Sequence, residues 1–478
     1  MLSTKIQTII SRGIKRLGLW KANNSLIPNI YFGRHIAGVP DNSIVFFPCS
    51  ENILFCGFAG IVSFKNSKQT GGCVDIALLE DMVKRVESCG YDNCIKNQYV
   101  LDADYLGGKK HITSLVKSVK SLKEPNLFYD IFINKSIQDS LSKLADQFSC
   151  VIDAESKALA ENMGYLDSGA VNIMSRSIES LRDIEWCITR EITGNIRKIK
   201  KLIPVTAEPP AVSSFIVFKK INAVLNSTDR LEVRGRDSAG VSLLFILGGN
   251  EFKRFNEEIG KAGLYDRLRE RSDHKVLLNN SISIHESVTA DGNKKAAIAF
   301  TYKIAAEIGN LGDNVKFLRG QVAGDLILHK LISFSHLYHT VSAHTRWASM
   351  GVISEPNCHP VDNRTLNNSG EERGIIHVCL NGDIDNYMDL KSKYEATGGL
   401  IHKDITTDTK IIPLWIDRYI QQGFDVEESF RLAACDFEGS HAICMHTDLA
   451  PGKLFLAQKG SGQTIFIGMA NDFYMPTS

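Results

Sequence analysis

Several short stretches of the chain concentrate side chains that could do chemistry. In ENILFCGFAGIVSF, residues 51–64, a reactive thiol, Cys56, stands at the mouth of an alternating apolar run that reads as a buried strand. LEVRGRDSAGVSLLF sets Arg234, Gly235, Asp237, Ser238 and Gly240 in a tight polar turn leading into a strand. AHTRWASMGVISEPNCHP puts Arg346, Trp347 and Ser349 just after a strand, followed by Gly351 and then by Asn357, His359 and Pro360. CLNGDIDNY ends a strand on Asn381 and Gly382, and TTDTKII opens a helix on Thr407 and Asp408. Singly, each has an ordinary structural reading. An Asn-Gly pair makes a turn, an aspartate before a helix caps it, and an arginine beside a tryptophan stacks on it.

The elements that must position these groups follow from periodicity. Over 65–225, in runs such as SIQDSLSKLADQF, apolar residues recur at helical spacing. The proline-rich IPVTAEPPAVSS then predicts a boundary near 205–215. Beyond it VSLLFILG, TVSAHTRWA, GIIHVCLNG, HAICMHTD, LFLAQKG and TIFIGMA predict strands, and TKIIPLWIDRYIQQG an amphipathic helix. Strands with interspersed helices indicate an α+β layered domain.

Composition bounds the function classes. The 478 residues, 44% hydrophobic and 23% charged, suit one large or a few ordinary globular domains. A formal net charge of +1 supplies no global field for nucleic acid or a membrane surface. No apolar run is long enough for a bilayer-spanning helix, and no secretory signal opens the chain. Eleven unevenly spaced cysteines fit free thiols in a reducing compartment. Cys89 and Cys94 lack a second ligand pair, so no metal site is expected, and no motif calls for a cofactor. The first forty residues carry Lys5, Arg12, Lys15, Arg16, Lys21 and Arg34 with no acidic residue before Asp41, and Ile6, Ile9, Ile10, Ile14 and Leu17 fall near helical spacing. This segment reads as an organelle-targeting sequence or as a basic surface helix; the location is otherwise cytoplasmic.

Together, and in this order, CGFAGIVSF, RGRDSAG, HTRWASMGVISEPNCHP, LNGDIDNY and TDTKII resemble the glutaminase domain of the class II glutamine amidotransferases, which are N-terminal nucleophile hydrolases. RGRDSAG with HTRWA is most similar to the branch that aminates fructose 6-phosphate to glucosamine 6-phosphate. The resemblance implies a four-layer αββα sandwich built from 56–64 and 215–478, with 65–214 as a large helical insertion and 1–55 as a leader, propeptide or targeting segment.

It also implies a chemistry. Cys56 would be the nucleophile, with its own freed α-amino group as proton acceptor; an amine titrating near about 8 beside a thiol near about 8.5 makes the transfer nearly balanced. The Asn381 side-chain amide and the Gly382 N–H would form the oxyanion hole. Arg346 would pair with the α-carboxylate of glutamine, in the bidentate geometry a guanidinium offers, with Trp347 beside it and Ser349 adding a carboxylate contact. Asp408 would take the α-ammonium. Activity would require removal of residues 1–55, because the amide nitrogen of Phe55–Cys56 is no base. The ammonia would go to a sugar-isomerase acceptor domain or a separate synthase subunit, in a homo-oligomer. The alternatives are a silent glutaminase-like domain that senses glutamine or serves as a scaffold and, less in keeping with the headgroup residues, hydrolysis of another amide. Met350 stands where the family has histidine, so the contact made there must come from backbone or be lost.

Overall fold

The computed structural model describes residues 45–47, 56–63, 73–204, 208–273, 277–289, 291–306, 310–348, 350–365, 374–460, 463–469 and 473–477. The basic segment at the start of the chain and Ser349 lie outside the described residues. The chain divides into two compact units, one made of 1–65 with 219–478 and the other of 66–218.

The first unit is a sandwich of two sheets. Strands are numbered β1 Val45–Phe47, β2 Cys56–Ser63, β3 Ser238–Gly248, β4 Ser281–Val288, β5 Lys294–Ala305, β6 Tyr338–Arg346, β7 Val361–Asp362, β8 Ile376–Gly382, β9 His441–Thr447, β10 Phe455–Lys459, β11 Phe466–Met469 and β12 Phe473–Thr477. The seven-stranded sheet runs β11-β12-β2-β6-β3-β5-β4 and is antiparallel throughout. The five-stranded sheet runs β1-β10-β9-β8-β7, with only β1 parallel to its neighbour.

A period of two assigns the faces. Phe58 packs on Cys379, Ala442, Cys444, Leu454 and Leu456, which places it and its register partners on the inner face between the sheets. On the outer face of the smaller sheet, Ile376, Val378 and Leu380 pack against the helices Tyr387–Ala396, Ile411–Gln421 and Val426–Asp436 through Ile412, Trp415, Ile416 and Phe430. The helices Gly249–Lys261 and Asp313–Gly324 cover β3 and β5 on the outer face of the larger sheet. The layers are therefore helix, sheet, sheet, helix. β3, SAGVSLLFILG, is buried on both faces for nearly its whole length, so its sequence is apolar outward and carries small or hydroxyl residues inward at Ser238, Gly240 and Ser242.

The second unit is helical. Its longest helices, Lys135–Asn162 and Ser168–Trp186, pack on each other, burying Leu141, Leu144, Phe148, Met174, Ile178 and Leu181. Each is capped at its N-terminus by a side chain, Asn134 and Asp167. In sequence this unit stands between β2 and β3, which flank β6 in the sheet.

Candidate functional site

Register brings the chemistry-bearing residues of three strands into one row. Cys56 is paired across from Arg346 on β6, and Arg346 across from Ser238 on β3. The row closes one end of the larger sheet, where β2 and β3 begin and β6 ends.

The turn after β6 is held by the RGRDSAG segment. Asp237 N–H donates to the Arg346 carbonyl at 3.2 Å, and Ala348 N–H donates to the Asp237 carboxylate at 2.9 Å. Gly235 lies so close to this backbone that a Cβ would sit 2.5 Å from the Arg346 carbonyl carbon, which excludes any side chain there. The segment thus acts as a clamp on the Arg346–Ala348 turn. Trp347, within it, is half-exposed.

Arg346 is 3% exposed, and its guanidinium donates to the carbonyls of Met350 and Val352. Met350 thus contributes to the arginine's seat through its backbone carbonyl. Val352 N–H in turn donates to Thr406 Oγ1 at 3.0 Å, and a Cβ on Gly351 would meet Thr406 at 2.9 Å. The arginine turn is therefore seated on the loop that leads to Asp408.

Asn357 pins that loop. Its Oδ1 accepts from the N–H groups of Thr406 at 2.7 Å and Thr407 at 2.9 Å, while Nδ2 donates to Ser354 Oγ at 2.8 Å and to the Asp404 carbonyl at 3.1 Å. Asp408 follows, 4% exposed, and its Oδ2 accepts from Ile384 N–H at 2.8 Å. Burial pushes this carboxyl up to about 6, against the opposing pull of the Ile384 N–H and, more weakly, of the Arg346 charge.

β8 ends on Asn381, which is buried, and Gly382. Gly382 has φ of +110°, and a Cβ there would lie 2.0 Å from the Ser440 carbonyl oxygen, so the turn admits only glycine. His344, on the same face of β6 as Arg346, has its ring centroid 4.3 Å from that of His359. His359 bonds Leu380, next to Asn381. This chain of contacts brings the end of β8 to the same end of the sandwich as the Cys56–Arg346 row. Burial takes His344 down to about 3 and His359 well below the ordinary imidazole range, so both rings are neutral at pH 7.

The inner layer beside the site is polar. Ser242 Oγ sits 2.6 Å from His377 Nδ1 and 3.2 Å from His446 Nε2, and Lys410 Nζ is 2.8 Å from Asp362 Oδ1. Among the described residues no group of three or more His, Cys, Asp or Glu could hold a metal ion.

Cys56, Arg346, Asn381, Gly382 and Asp408 are thus brought to one end of the sandwich, with Trp347 at its rim, while Ser349 lies outside the described residues. Sequence reasoning gave no role to the groups that hold them: the Asp237 carboxylate, Asn357, His359, Thr406 and Thr409. The signal for two of these was the NCHP run, whose polar residues are buried at 0% for Asn357 and 3% for His359.

No protein-family model matches the chain. Over 131 residues it is 33% identical to the glutamine–fructose-6-phosphate aminotransferase (isomerizing) of Methanothermobacter thermautotrophicus, a stretch covering 27% of this chain and 20% of that enzyme. With the enzyme of the same name from Chlorobaculum tepidum it shares 35% identity over 200 residues, 41% of this chain and 29% of that enzyme. With that from Sulfurisphaera tokodaii it shares 29% over 168 residues, 35% and 26% of the two chains. The chain thus spans less than a third of the length of each of these relatives. A solved structure titled as the allosteric regulatory enzyme of purine biosynthesis aligns with a TM-score of 0.28 at 17% identity, covering 50% of this chain and 41% of that one.

Proposed function

We propose that the sandwich unit is a class II glutaminase that hydrolyses glutamine to glutamate and ammonia. The observation that carries this reading is the register placing Cys56 across from Arg346, at the end of the sandwich to which Asp408 and the Asn381–Gly382 turn also come. Arg346 takes the α-carboxylate and Asp408 the α-ammonium, a pairing that reads the zwitterionic end of an amino acid. Cys56 attacks the side-chain amide. Asn381 and the Gly382 N–H receive the developing oxyanion, an interaction worth on the order of 3 kcal/mol per donor. The proton acceptor in this reading is the α-amino group of a freed Cys56, as the resemblance implies, so removal of residues 1–55 is part of the proposed mechanism. The similarity to glutamine–fructose-6-phosphate aminotransferases supports a sugar phosphate as acceptor, aminated on an acceptor domain or partner subunit.

The test compares chain expressed to begin at Cys56 with its Cys56→Ser variant. Hydrolysis should be lost in the variant while glutamine binding persists, since the headgroup contacts remain. Undiminished turnover in the variant would end the glutaminase reading.

A further inference from the structure

We propose that His359 and Thr409 form a strut that fixes the span between the headgroup end and the amide end of the pocket, and thereby sets the side-chain length of the amino acid it accepts. The proposal rests on the glutamine-site reading.

The His359 ring lies between the two ends. Its Nδ1 is 3.2 Å from the carbonyl oxygen of Leu380, which precedes Asn381, and its Nε2 is 2.8 Å from Oγ1 of Thr409, which follows Asp408. The bond to the Leu380 carbonyl requires the Nδ1–H tautomer, in which Nε2 accepts from the Thr409 hydroxyl. A second tie, from Ile384 N–H to Asp408 Oδ2 at 2.8 Å, holds the far side of the Asn381–Asp383 segment against the same turn. Asn357 completes the frame by bonding the Thr406 and Thr407 amides. Thr409 is 0% exposed and His359 3%, so these bonds are not exchanged with solvent. With both ring nitrogens engaged by protein, the imidazole is a positioning residue.

Such a frame has consequences for specificity. Glutamine and asparagine share headgroup and amide and differ by one methylene, about 1.5 Å of carbon–carbon bond. In a pocket whose two ends cannot move, the shorter side chain cannot satisfy both, and a misplacement of about 1 Å costs on the order of a hundredfold. If the strut is loosened, the ends can adjust to the shorter substrate, so discrimination falls more than affinity for glutamine.

The experiment is calorimetric titration of the full chain with L-glutamine and with L-asparagine, in wild type, Thr409→Val and Thr409→Ser. Valine keeps the shape and removes the hydroxyl; serine keeps the hydroxyl. The preference for glutamine should fall about tenfold in Thr409→Val, the equivalent of one buried hydrogen bond, and be retained in Thr409→Ser. His359→Asn, whose shorter amide reaches Leu380 without reaching Thr409, should relax the preference in the same way and serves if Thr409→Val does not fold. An unchanged preference in a folded variant lacking the Thr409 bond overturns the strut. Wild-type chain that binds neither amino acid, both at full length and when it begins at Cys56, overturns the glutamine reading itself, and the strut with it.

Discussion

Asp408 carries a conflict between stability and recognition. The folded protein raises its carboxyl from 3.8 to about 6, chiefly by burial, so the native state holds this proton more tightly than the unfolded chain does. The resulting contribution to stability is fully present below about pH 4 and is lost as pH rises through about 6. At neutral pH the protein without substrate therefore bears the cost of a buried carboxylate, and an ammonium group arriving beside it relieves that cost. Asp408→Asn should consequently melt at a higher temperature than wild type at pH 7.5 without glutamine, and not at pH 4.5. The same substitution should raise KM more than it lowers kcat, and should remove the break near pH 6 expected of wild type in log KM against pH. A variant that is less stable at pH 7.5 yet binds glutamine normally would contradict both halves. Arg346 and Asp408 were legible in the sequence as candidates because their motifs sit at element ends. The Met350 contact was legible only as a choice between backbone and loss, since no side-chain pattern reports a carbonyl.

The strands differ in how plainly their residues announce them. VSLLFILG and HAICMHTD read as strands and lie in β3 and β9, because β-branched and large apolar residues dominate one face. β4 and β5 were not anticipated. Their inner faces carry Ser281, Ser283, Thr301 and Lys303, and KKAAIAF is alanine-rich, so neither alternation nor β propensity marks them. Lys303 is fully buried and its amine is pushed down to about 8 by that burial, a placement no hydropathy pattern predicts. Element ends were easier where a backbone constraint selects the residue. Gly382, with its positive φ and the Ser440 carbonyl at 2.0 Å from any Cβ, is such a case. Gly382→Ala should displace the end of β8, lowering kcat by about a hundredfold or more and leaving KM for glutamine less affected. Steady-state kinetics on chain beginning at Cys56 would check this, and an unchanged kcat would remove Gly382 from the oxyanion site.

Across the whole molecule, the sequence places a helical region after the cysteine strand, and the structure has a helical unit at 66–218 as well as a sandwich unit. Strand pairing across that gap was foreseeable on two grounds: the resemblance implies a sandwich built from 56–64 with 215–478, and a lone strand cannot bury both faces, so β2 had to join the later sheet, as it does through β6 and β12. Which neighbours it would take was not foreseeable, since partner choice depends on distant strands. The same reasoning ties the segment ahead of Cys56 to activity. In uncut chain the nitrogen of Cys56 is an amide to Phe55, so the thiol has no α-amine of its own to accept its proton. A diazo-ketone amino acid that mimics glutamine should therefore label chain beginning at Cys56 rapidly and full-length chain far more slowly, with the adduct read by intact mass. The comparison separates chemistry from simple occlusion when a third chain, extended by a single glycine before Cys56, is included. That chain has an open N-terminus but an acylated cysteine nitrogen, and it should label as slowly as the full-length protein. Rapid labelling of the glycine-extended chain would show that the free α-amine is not the base; absence of labelling in all three would favour a pocket that binds glutamine without hydrolysing it.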